Sequence, residues 1–245
     1  MKVIKAEDTR SLEPFRDRII EGDCLEVMKG IPGESIDMIL CDLPYGTTQN
    51  KWDSIIDLDL LFTEYMRIIK PHGAIVLTSS GLFTAKLMFH APEIYKYKIV
   101  WVKSKATNFL NAKKQPLRKD QLTGSYGAFF PKHVKSDGSR YPTDIVYFKT
   151  AESEGAVYHP TQKPVELGRY LIRTYTNPGD IVLDNACGSG SFCVAAVLEG
   201  RSFIGIEKNE DVALFKKRPV DYIDICNQRI KEAKRTFEAE QQAIS

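Results

Sequence analysis

Residues 179–198 read GDIVLDNACGSGSFCVAAVL, and this stretch decides the fold. The apolar run at 181–183 predicts a buried strand, and the apolar run at 193–198 predicts a helix. Gly188 and Gly190 lie in the turn between them, where the backbone can pass close to a ligand. A strand, a glycine turn and a helix in this order are typical of the nucleotide-binding half of a Rossmann-like unit. The N-terminus of the helix favours a carboxylate or a phosphate at this turn.

Further apolar runs predict the other strands of a parallel sheet, at 18–21, 36–41, 74–78 and 202–207. Amphipathic helices are predicted between them at 59–69 and 165–175, and the tail after Arg229 is predicted to be helical. The segment KPHG at 70–73 is predicted to end the first of these helices and to introduce the next strand. Alternating strands and helices predict an α/β chain with a Rossmann-like, doubly wound sheet.

The composition of the 245 residues is that of an ordinary folded protein, with 43% hydrophobic and 27% charged residues. This balance excludes a disordered chain, a collagen-like repeat and a disulfide-stapled miniprotein. Residues 1–15 lack the apolar core of a signal peptide, and no apolar run approaches the roughly 20 residues that span a bilayer. The five cysteines form neither a CxxC pair nor a cluster with zinc spacing. We therefore expect a cytoplasmic protein with free thiols and no metal.

The charges are unevenly distributed along the chain, although the net charge is only +2. Residues 96–149 carry twelve Lys or Arg against three Asp or Glu, whereas the remainder carries 22 against 29. Such a basic segment is typical of a polyanion-binding region, although a solvated lysine-rich loop has the same composition. Glycines, prolines and the lack of a sustained period at 104–140 predict an irregular insert. The expected organisation is a single domain, with a core at about 17–95 and 155–230 and an insert at 96–150.

The strand predicted at 36–41 continues into Asp42, Leu43, Pro44 and Tyr45, at the edge where open α/β sheets bind their ligands. Pro44 favours an extended Leu43, so that the Leu43 carbonyl and the Asp42 carboxylate can point at one spot. Two such acceptors would localise the lone pair of an exocyclic amine for attack on an activated methyl group, while Tyr45 stacks on the base. Taken alone, however, these four residues are better explained as a turn with core packing.

Glu207 ends the last predicted strand, 17 residues after Gly190, where a carboxylate can accept hydrogen bonds from both hydroxyls of a ribose. The glycine turn and Glu207 together predict a site for an adenosyl cofactor. A nicotinamide dehydrogenase is an alternative from the turn alone. The sequence, however, has Cys193 in place of the third glycine of the dinucleotide fingerprint. A dehydrogenase would also leave Asp42 to Tyr45 unexplained.

The order of the two motifs, DLPY before DNACGSG, resembles S-adenosylmethionine-dependent DNA amino methyltransferases of the β arrangement (the N-6 adenine and N-4 cytosine family). In that arrangement the catalytic strand precedes the cofactor loop. Further segments are similar to the family: GDC at 22–24, HPTQKP at 159–164, RPVDY at 218–222 and the pair Arg229-Ile230. The resemblance extends from Ile19 to Ile230. It implies S-adenosyl-L-methionine as the cofactor and double-stranded DNA as the substrate.

The resemblance also implies roles for individual residues. The catalytic residues would be Asp42, Leu43, Pro44 and Tyr45. The cofactor would be bound by Asp23, Cys24, Thr161, Lys163, Asp184, Gly188, Gly190 and Glu207. The basic segment has the position of the family's target-recognition region, in which Lys113, Lys114, Arg118 and Lys119 would contact phosphates and Gln115 would contact base edges. Two positions depart from the family pattern, because Leu43 replaces a commoner proline and Ser191-Phe192 replaces a pair of small hydroxyl residues.

The function expected from the resemblance is methylation of the N-6 amine of adenine, in a base flipped out of the duplex. Asp42 favours adenine, because cytosine enzymes of this arrangement more often resemble Ser-Pro-Pro-Tyr at the same place. Three alternatives stay open. The substrate could be the N-4 amine of cytosine, or it could be an RNA or a protein amide. The chain could also be a non-catalytic DNA-binding relative. We expect that the protein belongs to a restriction-modification system, although the sequence does not identify a cognate restriction enzyme. We also expect a homodimer that binds the DNA.

Overall fold

A computed structural model of the chain describes residues 10–46, 54–107, 118–127, 143–209, 213–215 and 218–244. The described strands are β1 (Arg18–Glu21), β2 (Ile36–Cys41), β3 (Ile69–Ser79), β4 (Tyr95–Thr107), β5 (Arg118–Gly127), β6 (Ile145–Phe148), β7 (Ile181–Asp184), β8 (Ser202–Glu207), β9 (Ala213–Phe215) and β10 (Arg218–Val220). The described helices are α1 (Cys24–Met28), α2 (Leu58–Ile68), α3 (Leu82–His90), α4 (Val165–Tyr175), α5 (Ser191–Leu198) and α6 (Tyr222–Ile244).

Eight of these strands form one sheet in the order β1-β8-β7-β2-β3-β5-β4-β6, and β9 pairs with β10 separately. The five strands from β1 to β3 in this order are parallel, which confirms the predicted Rossmann-like, doubly wound sheet. From β2 the chain continues to β3, towards one edge of the sheet, whereas from β7 it continues to β8, towards the opposite edge. The carboxyl ends of β2 and β7 therefore border the crevice in which such sheets bind ligands.

The sheet separates two hydrophobic clusters, because successive side chains of a strand point to opposite faces. In β2, Ile39 and Cys41 belong to the cluster that contains the buried residues of α1, α2 and α3. Met38 and Leu40 belong to the other cluster, together with buried residues of α4, α5 and α6. Burial on both faces explains why β2 is an almost continuous apolar run rather than an alternating one.

The start of β3 differs from the sequence prediction. Helix α2 ends at Ile68 and β3 begins at Ile69, so the segment at 70–73 lies inside the strand instead of before it. The pairing of β2 with β3 shifts in register between Ile36 and Met38, which accommodates this segment. At Gly73 an added Cβ would lie 2.6 Å from the Ile69 side chain and 2.9 Å from the Asp37 carbonyl oxygen, so a larger residue there would require the two strands to shift.

The sheet also continues into the segment that was predicted to be irregular. Strand β5 pairs antiparallel with both β3 and β4, and β6 pairs parallel with β4. The prediction of an irregular stretch at 104–140 is therefore wrong for β5 and for the end of β4. Hydrogen bonding from both sides holds β5 extended despite Gly124, which pairs with Leu77 on one side and Lys98 on the other. The division into a core and a target-recognition insert stays a prediction.

The five cysteines are all buried and none is in a disulfide. No helix in the described part of the chain is long and apolar enough to cross a membrane.

Candidate active site

A cavity of about 580 Å³ opens where β2, β7 and β8 end. Of the twelve residues predicted to be catalytic or cofactor-binding, all except Gly190 line this cavity. They come from five separate stretches of sequence, which the parallel strands bring to one edge of the sheet. The structure thus gathers eleven of the predicted residues at one site.

The Asp42 carboxylate has three polar partners in the cavity. Its Oδ1 accepts a hydrogen bond from the Tyr45 hydroxyl at 2.7 Å and another from the Thr78 hydroxyl. Its Oδ2 forms an ion pair with the Lys163 ammonium. Gln121 donates a hydrogen bond to the Tyr45 hydroxyl over 2.7 Å, which fixes the ring from its far end. These donors hold the carboxylate in a single orientation at the mouth of the crevice.

Thr78 and Gln121 are the members of this network that sequence reasoning missed. Thr78 follows Leu77, which pairs with Cys41, so it lies level with Asp42 on the neighbouring strand. Gln121 lies on β5, next to the pairing of Leu122 with Ser79. Both side chains are buried. A polar residue at the carboxyl end of an apolar strand was the available signal for Thr78, whereas Gln121 was hidden in the segment predicted to be irregular.

The surroundings of Tyr45 differ from those expected of a freely stacking ring. One face of the ring stacks on Phe83, with the centroids 5.2 Å apart and the planes inclined by 29°. Burial, followed by the charge of Asp42, raises the pKa of the Tyr45 hydroxyl well above its ordinary value. The hydroxyl therefore stays neutral and serves as a donor to Asp42. Any planar ligand that contacts Tyr45 must use the ring edge or the face opposite Phe83.

The glycine turn after β7 holds a second acidic group. The Gly188 amide, at φ +52°, donates a 2.7 Å hydrogen bond to Oε2 of Glu207. Oε1 of Glu207 lies 3.4 Å from the Asn209 amide. Burial raises the pKa of the Glu207 carboxyl. A carboxylate at this position, with one oxygen anchored to the turn, can accept hydrogen bonds from vicinal hydroxyls.

Asp184 ends β7 between these two acidic residues and is almost fully buried. Burial raises the pKa of its carboxyl to about 8, and the nearby charges of Asp42 and Glu207 act in the same direction. The Ala186 amide, 3.4 Å from Oδ1, and the Cys41 thiol act in the opposite direction and lower this pKa, but burial outweighs them. Asp184 is thus largely protonated near neutral pH, unless a cation binds beside it.

Asp23 and Cys24 line the side of the cavity next to β1. Asp23 caps α1, since its Oδ1 accepts a hydrogen bond from the Leu25 amide at 2.9 Å, and its carboxylate lies 3.7 Å from the Lys208 ammonium. Cys24 is buried, and burial raises the pKa of its thiol. The Gly22 amide donates to the Glu207 carbonyl at 2.9 Å, which ties this turn to the end of β8.

Gly190 shapes the glycine turn from behind the cavity. It is the N-cap of α5, with φ +78°, in the left-handed region that favours glycine. An added Cβ would lie 2.9 Å from the Cys226 sulfur, so α6 closes against the turn at this point. Gly190 therefore has a structural role in the turn, whereas Gly188 faces the cavity.

The HPTQKP segment lies across the opening of the site. Gln162 anchors it through Oε1, which accepts hydrogen bonds from the Tyr158 amide at 2.9 Å and from the Ser189 hydroxyl at 3.1 Å. Burial lowers the pKa of His159 to about 4, so its ring is neutral at physiological pH. Thr161 is exposed at the cavity, with its amide 3.2 Å from Nδ1 of His159. Lys163 was predicted to contact the cofactor, but the structure places its ammonium on Asp42.

The predicted DNA contacts are only partly described. Lys113, Lys114 and Gln115 lie outside the described residues. Arg118 is the first residue of β5, and Lys119 after it is exposed. Both belong to the half of the sheet that borders the Asp42 side of the cavity, because Gln121 of the same strand reaches Tyr45.

Known DNA methylases are similar to this chain in sequence. Residues 90–218 match the family model N6_N4_Mtase, described as DNA methylase. The chain is 30% identical to the DNA adenine methyltransferase YhdJ of Escherichia coli K12, over 83% of this chain and 82% of that protein. It is 27% identical to the type II methyltransferase M.HinfI of Haemophilus influenzae, over 91% of this chain and 71% of that protein.

Solved structures share the fold. The M1.HpyAVI–SAM complex superposes with a TM-score of 0.66 at 23% identity, over 87% of this chain and 98% of that one. The PvuII DNA methyltransferase, which is cytosine-N4-specific, superposes with a TM-score of 0.60 at 15% identity, over 87% of this chain and 92% of that one.

Proposed function

Because the chain belongs to the N6/N4 family of DNA methylases, we propose that it transfers a methyl group from S-adenosyl-L-methionine to the N-6 amine of adenine in double-stranded DNA. The observation that carries this proposal is the fixed Asp42 carboxylate, which lies in the same cavity as the Gly188–Glu207 pair. Asp42, which would accept hydrogen bonds from an amine, and the Gly188–Glu207 pair, which would bind an adenosyl group, thus line one cavity.

The side of the cavity formed by the glycine turn has the groups that S-adenosyl-L-methionine requires. Glu207 would accept hydrogen bonds from the ribose hydroxyls, and Asp184 would ionise beside the ammonium of the methionine part. Gly188 presents backbone without a side chain, and the Asp23–Cys24 turn would border the adenine. When bound, this cofactor supplies a methyl group on a positively charged sulfur. The neutral ring of His159 adds no like charge to that side of the site.

The other side would hold the target base. An exocyclic amine is a poor nucleophile because its lone pair is delocalised into the ring. Asp42 Oδ2 and the Leu43 carbonyl would each accept one N–H and so orient the lone pair towards the methyl group. Tyr45 and Thr78 keep Asp42 in place through Oδ1, which spares the protein the cost of reorganising the carboxylate during the reaction.

Adenine is favoured over cytosine by two observations. Asp42 heads the motif, as in the adenine enzymes that the sequence resembles. The relative with 30% identity carries the name DNA adenine methyltransferase. The base must be flipped out of the duplex to reach Asp42, at a cost of about a few kcal/mol in unstacking.

The test is incubation of the purified protein with unmethylated genomic DNA and labelled S-adenosyl-L-methionine, followed by mass spectrometry of the nucleosides. We expect N6-methyldeoxyadenosine, and a loss of about a thousandfold or more in rate for Asp42→Ala, because the variant lacks the amine acceptor. The control is Asp59→Ala, since the Asp59 side chain is 93% exposed on α2 and does not line the cavity.

Each outcome of this experiment has a distinct meaning. N4-methyldeoxycytidine as the product would retain the mechanism and replace the base. Methylation that survives in Asp42→Ala would overturn the role of Asp42. No labelled nucleoside, despite cofactor binding measured by calorimetry, would overturn DNA as the substrate.

A further inference from the structure

Lys163 occupies an unexpected place in the cavity. Its side chain is only 10% exposed, and its ammonium pairs with Oδ2 of Asp42, whose side chain is 20% exposed. The same nitrogen lies 3.4 Å from the Thr161 carbonyl oxygen. It also lies 6.0 Å from the centroid of the Tyr45 ring, on which a planar base was expected to stack. A nitrogen that carries hydrogens thus already sits where a target amine would have to bind.

The bonding of Asp42 leaves an incoming amine one oxygen to use. Oδ1 is engaged by two hydroxyls, and the Tyr45 hydroxyl is itself held by Gln121. Oδ2 carries the Lys163 ammonium instead, at the end of a flexible side chain. An amine that donates to Asp42 must therefore compete with Lys163 for Oδ2 rather than with the fixed hydroxyls.

We propose that Lys163 is a positioning residue that stands in for the target amine: its ammonium holds Oδ2 of Asp42 while no base is bound and yields this oxygen when the base arrives. The inference rests on the proposed function, since it takes the ligand of Asp42 to be an exocyclic amine of DNA. The Thr161 carbonyl, which lies 3.4 Å from the ammonium, is an acceptor that the displaced ammonium can keep.

Two physical arguments support this exchange. A carboxylate with little solvent access is costly without a partner, so a resident cation stabilises the empty site. The target amine becomes positively charged as it takes up the methyl group. The Lys163 ammonium, if it stayed on Oδ2 of Asp42, would repel this developing positive charge. The cation that stabilises the resting site would therefore hinder the reaction if it stayed, which favours its displacement before methyl transfer.

The test compares Lys163→Met, which removes the charge, with Lys163→Arg, which keeps it. We expect Lys163→Met to lower the KM for DNA by about threefold or more, because the base no longer competes with an ammonium. The affinity for S-adenosylhomocysteine, measured by calorimetry, should change by less than about twofold, since the ammonium is on the amine side of the site. Lys163→Arg should restore the competition and bring the KM for DNA back towards the wild-type value.

The chain offers a matched control in Lys70, whose ammonium pairs with Asp37 at 2.7 Å, near the beginning of β2 and outside the cavity lining. Lys70→Met removes an ion pair of the same kind and should leave the KM for DNA unchanged. A KM for DNA that rises in Lys163→Met would overturn the stand-in role. A loss of about tenfold in affinity for S-adenosylhomocysteine would also overturn it and would restore Lys163 to the cofactor site.

A measurement without activity separates this inference from the proposed function. Thermal unfolding of Asp42→Ala, Lys163→Met and the double variant tests the pairing directly. Coupled partners should give a double variant whose melting temperature is no lower than that of the worse single variant. Additive losses would overturn the pairing, even if the protein methylates DNA. If the protein methylated no DNA at all, the proposed function would fail and this unfolding cycle would still decide whether Lys163 holds Asp42.

Discussion

Asp42 follows β2 and Asp184 ends the neighbouring strand β7, yet their surroundings differ. Asp42 accepts hydrogen bonds from two hydroxyls and an ammonium, whereas Asp184 has the Ala186 amide at 3.4 Å and the Cys41 thiol as partners, with the acidic residues Asp42 and Glu207 nearby. Burial accordingly raises the pKa of the Asp184 carboxyl to about 8. The same residue type thus serves in one case as an anchored acceptor and in the other as a carboxyl that ionises when a cation arrives.

This difference predicts a pH dependence of stability that Asp184→Asn should reduce. The folded chain keeps the Asp184 proton up to a pH of about 8, whereas the unfolded chain releases it near the ordinary aspartate value of about 4. The contribution of Asp184 to the free energy of unfolding should therefore fall as the pH rises between these values, by at most about 1.4 kcal/mol per pH unit. Urea unfolding from pH 5 to pH 8 measures the slope, and equal slopes for Asp184→Asn and the wild type would refute the assignment.

At the scale of single elements, the apolar runs predicted β2, β7 and β8 because strands buried on both faces leave a clear signal. Strand β5 left no such signal, because its buried positions include Gln121 and Gly124, which are held by pairing with β3 and β4. The motifs predicted which residues share the cavity. The partner of Lys163 could not be predicted, because 121 residues separate it from Asp42 and only the fold brings them together.

The turn into α5 allows a prediction at the same scale, with Gly190→Ala as the test. The variant should lower the free energy of unfolding by about 1–3 kcal/mol, since an L-residue at φ +78° is strained and its Cβ would meet the Cys226 sulfur. It should also weaken the binding of S-adenosylhomocysteine, because the Gly188 amide belongs to the displaced turn. Urea unfolding and calorimetry measure the two effects.

Gly179→Ala is the matched control for this turn. Gly179 also has a positive φ, +86°, but an added Cβ there would meet no atom within 4 Å. It therefore carries the backbone strain without the contact. Equal destabilisation by the two variants would mean that α6 does not limit the turn. Adding Cys226→Ala to Gly190→Ala should recover part of the loss.

At the scale of the whole molecule, part of the basic segment at 96–149 lies in the sheet, in strands β4 and β5. Strand β4 carries exposed lysines near both of its ends, and β5 carries exposed Lys119 near its beginning. Lys105 and Lys119 lie at the end where β3, parallel to β2, reaches the cavity, whereas Lys96 and Lys98 lie towards the opposite end. If DNA delivers its base to Asp42, the first pair should contact phosphates and the second should not.

The salt dependence of DNA binding tests this arrangement. Each phosphate contact contributes about −0.9 to the slope of log K against log salt, so Lys105→Ala with Lys119→Ala should make the slope less negative by about 2. Lys96→Ala with Lys98→Ala removes the same charge from the same sheet and should leave the slope unchanged. Fluorescence anisotropy with a labelled duplex, between low and physiological ionic strength, measures both slopes.

Equal changes in the two double variants would mean that the basic segment attracts DNA by its net charge alone. A flat salt dependence in the wild type would mean that the lysines are solvated. Only a difference between the two ends of the same strands places the duplex at the edge of the sheet where Asp42 lies.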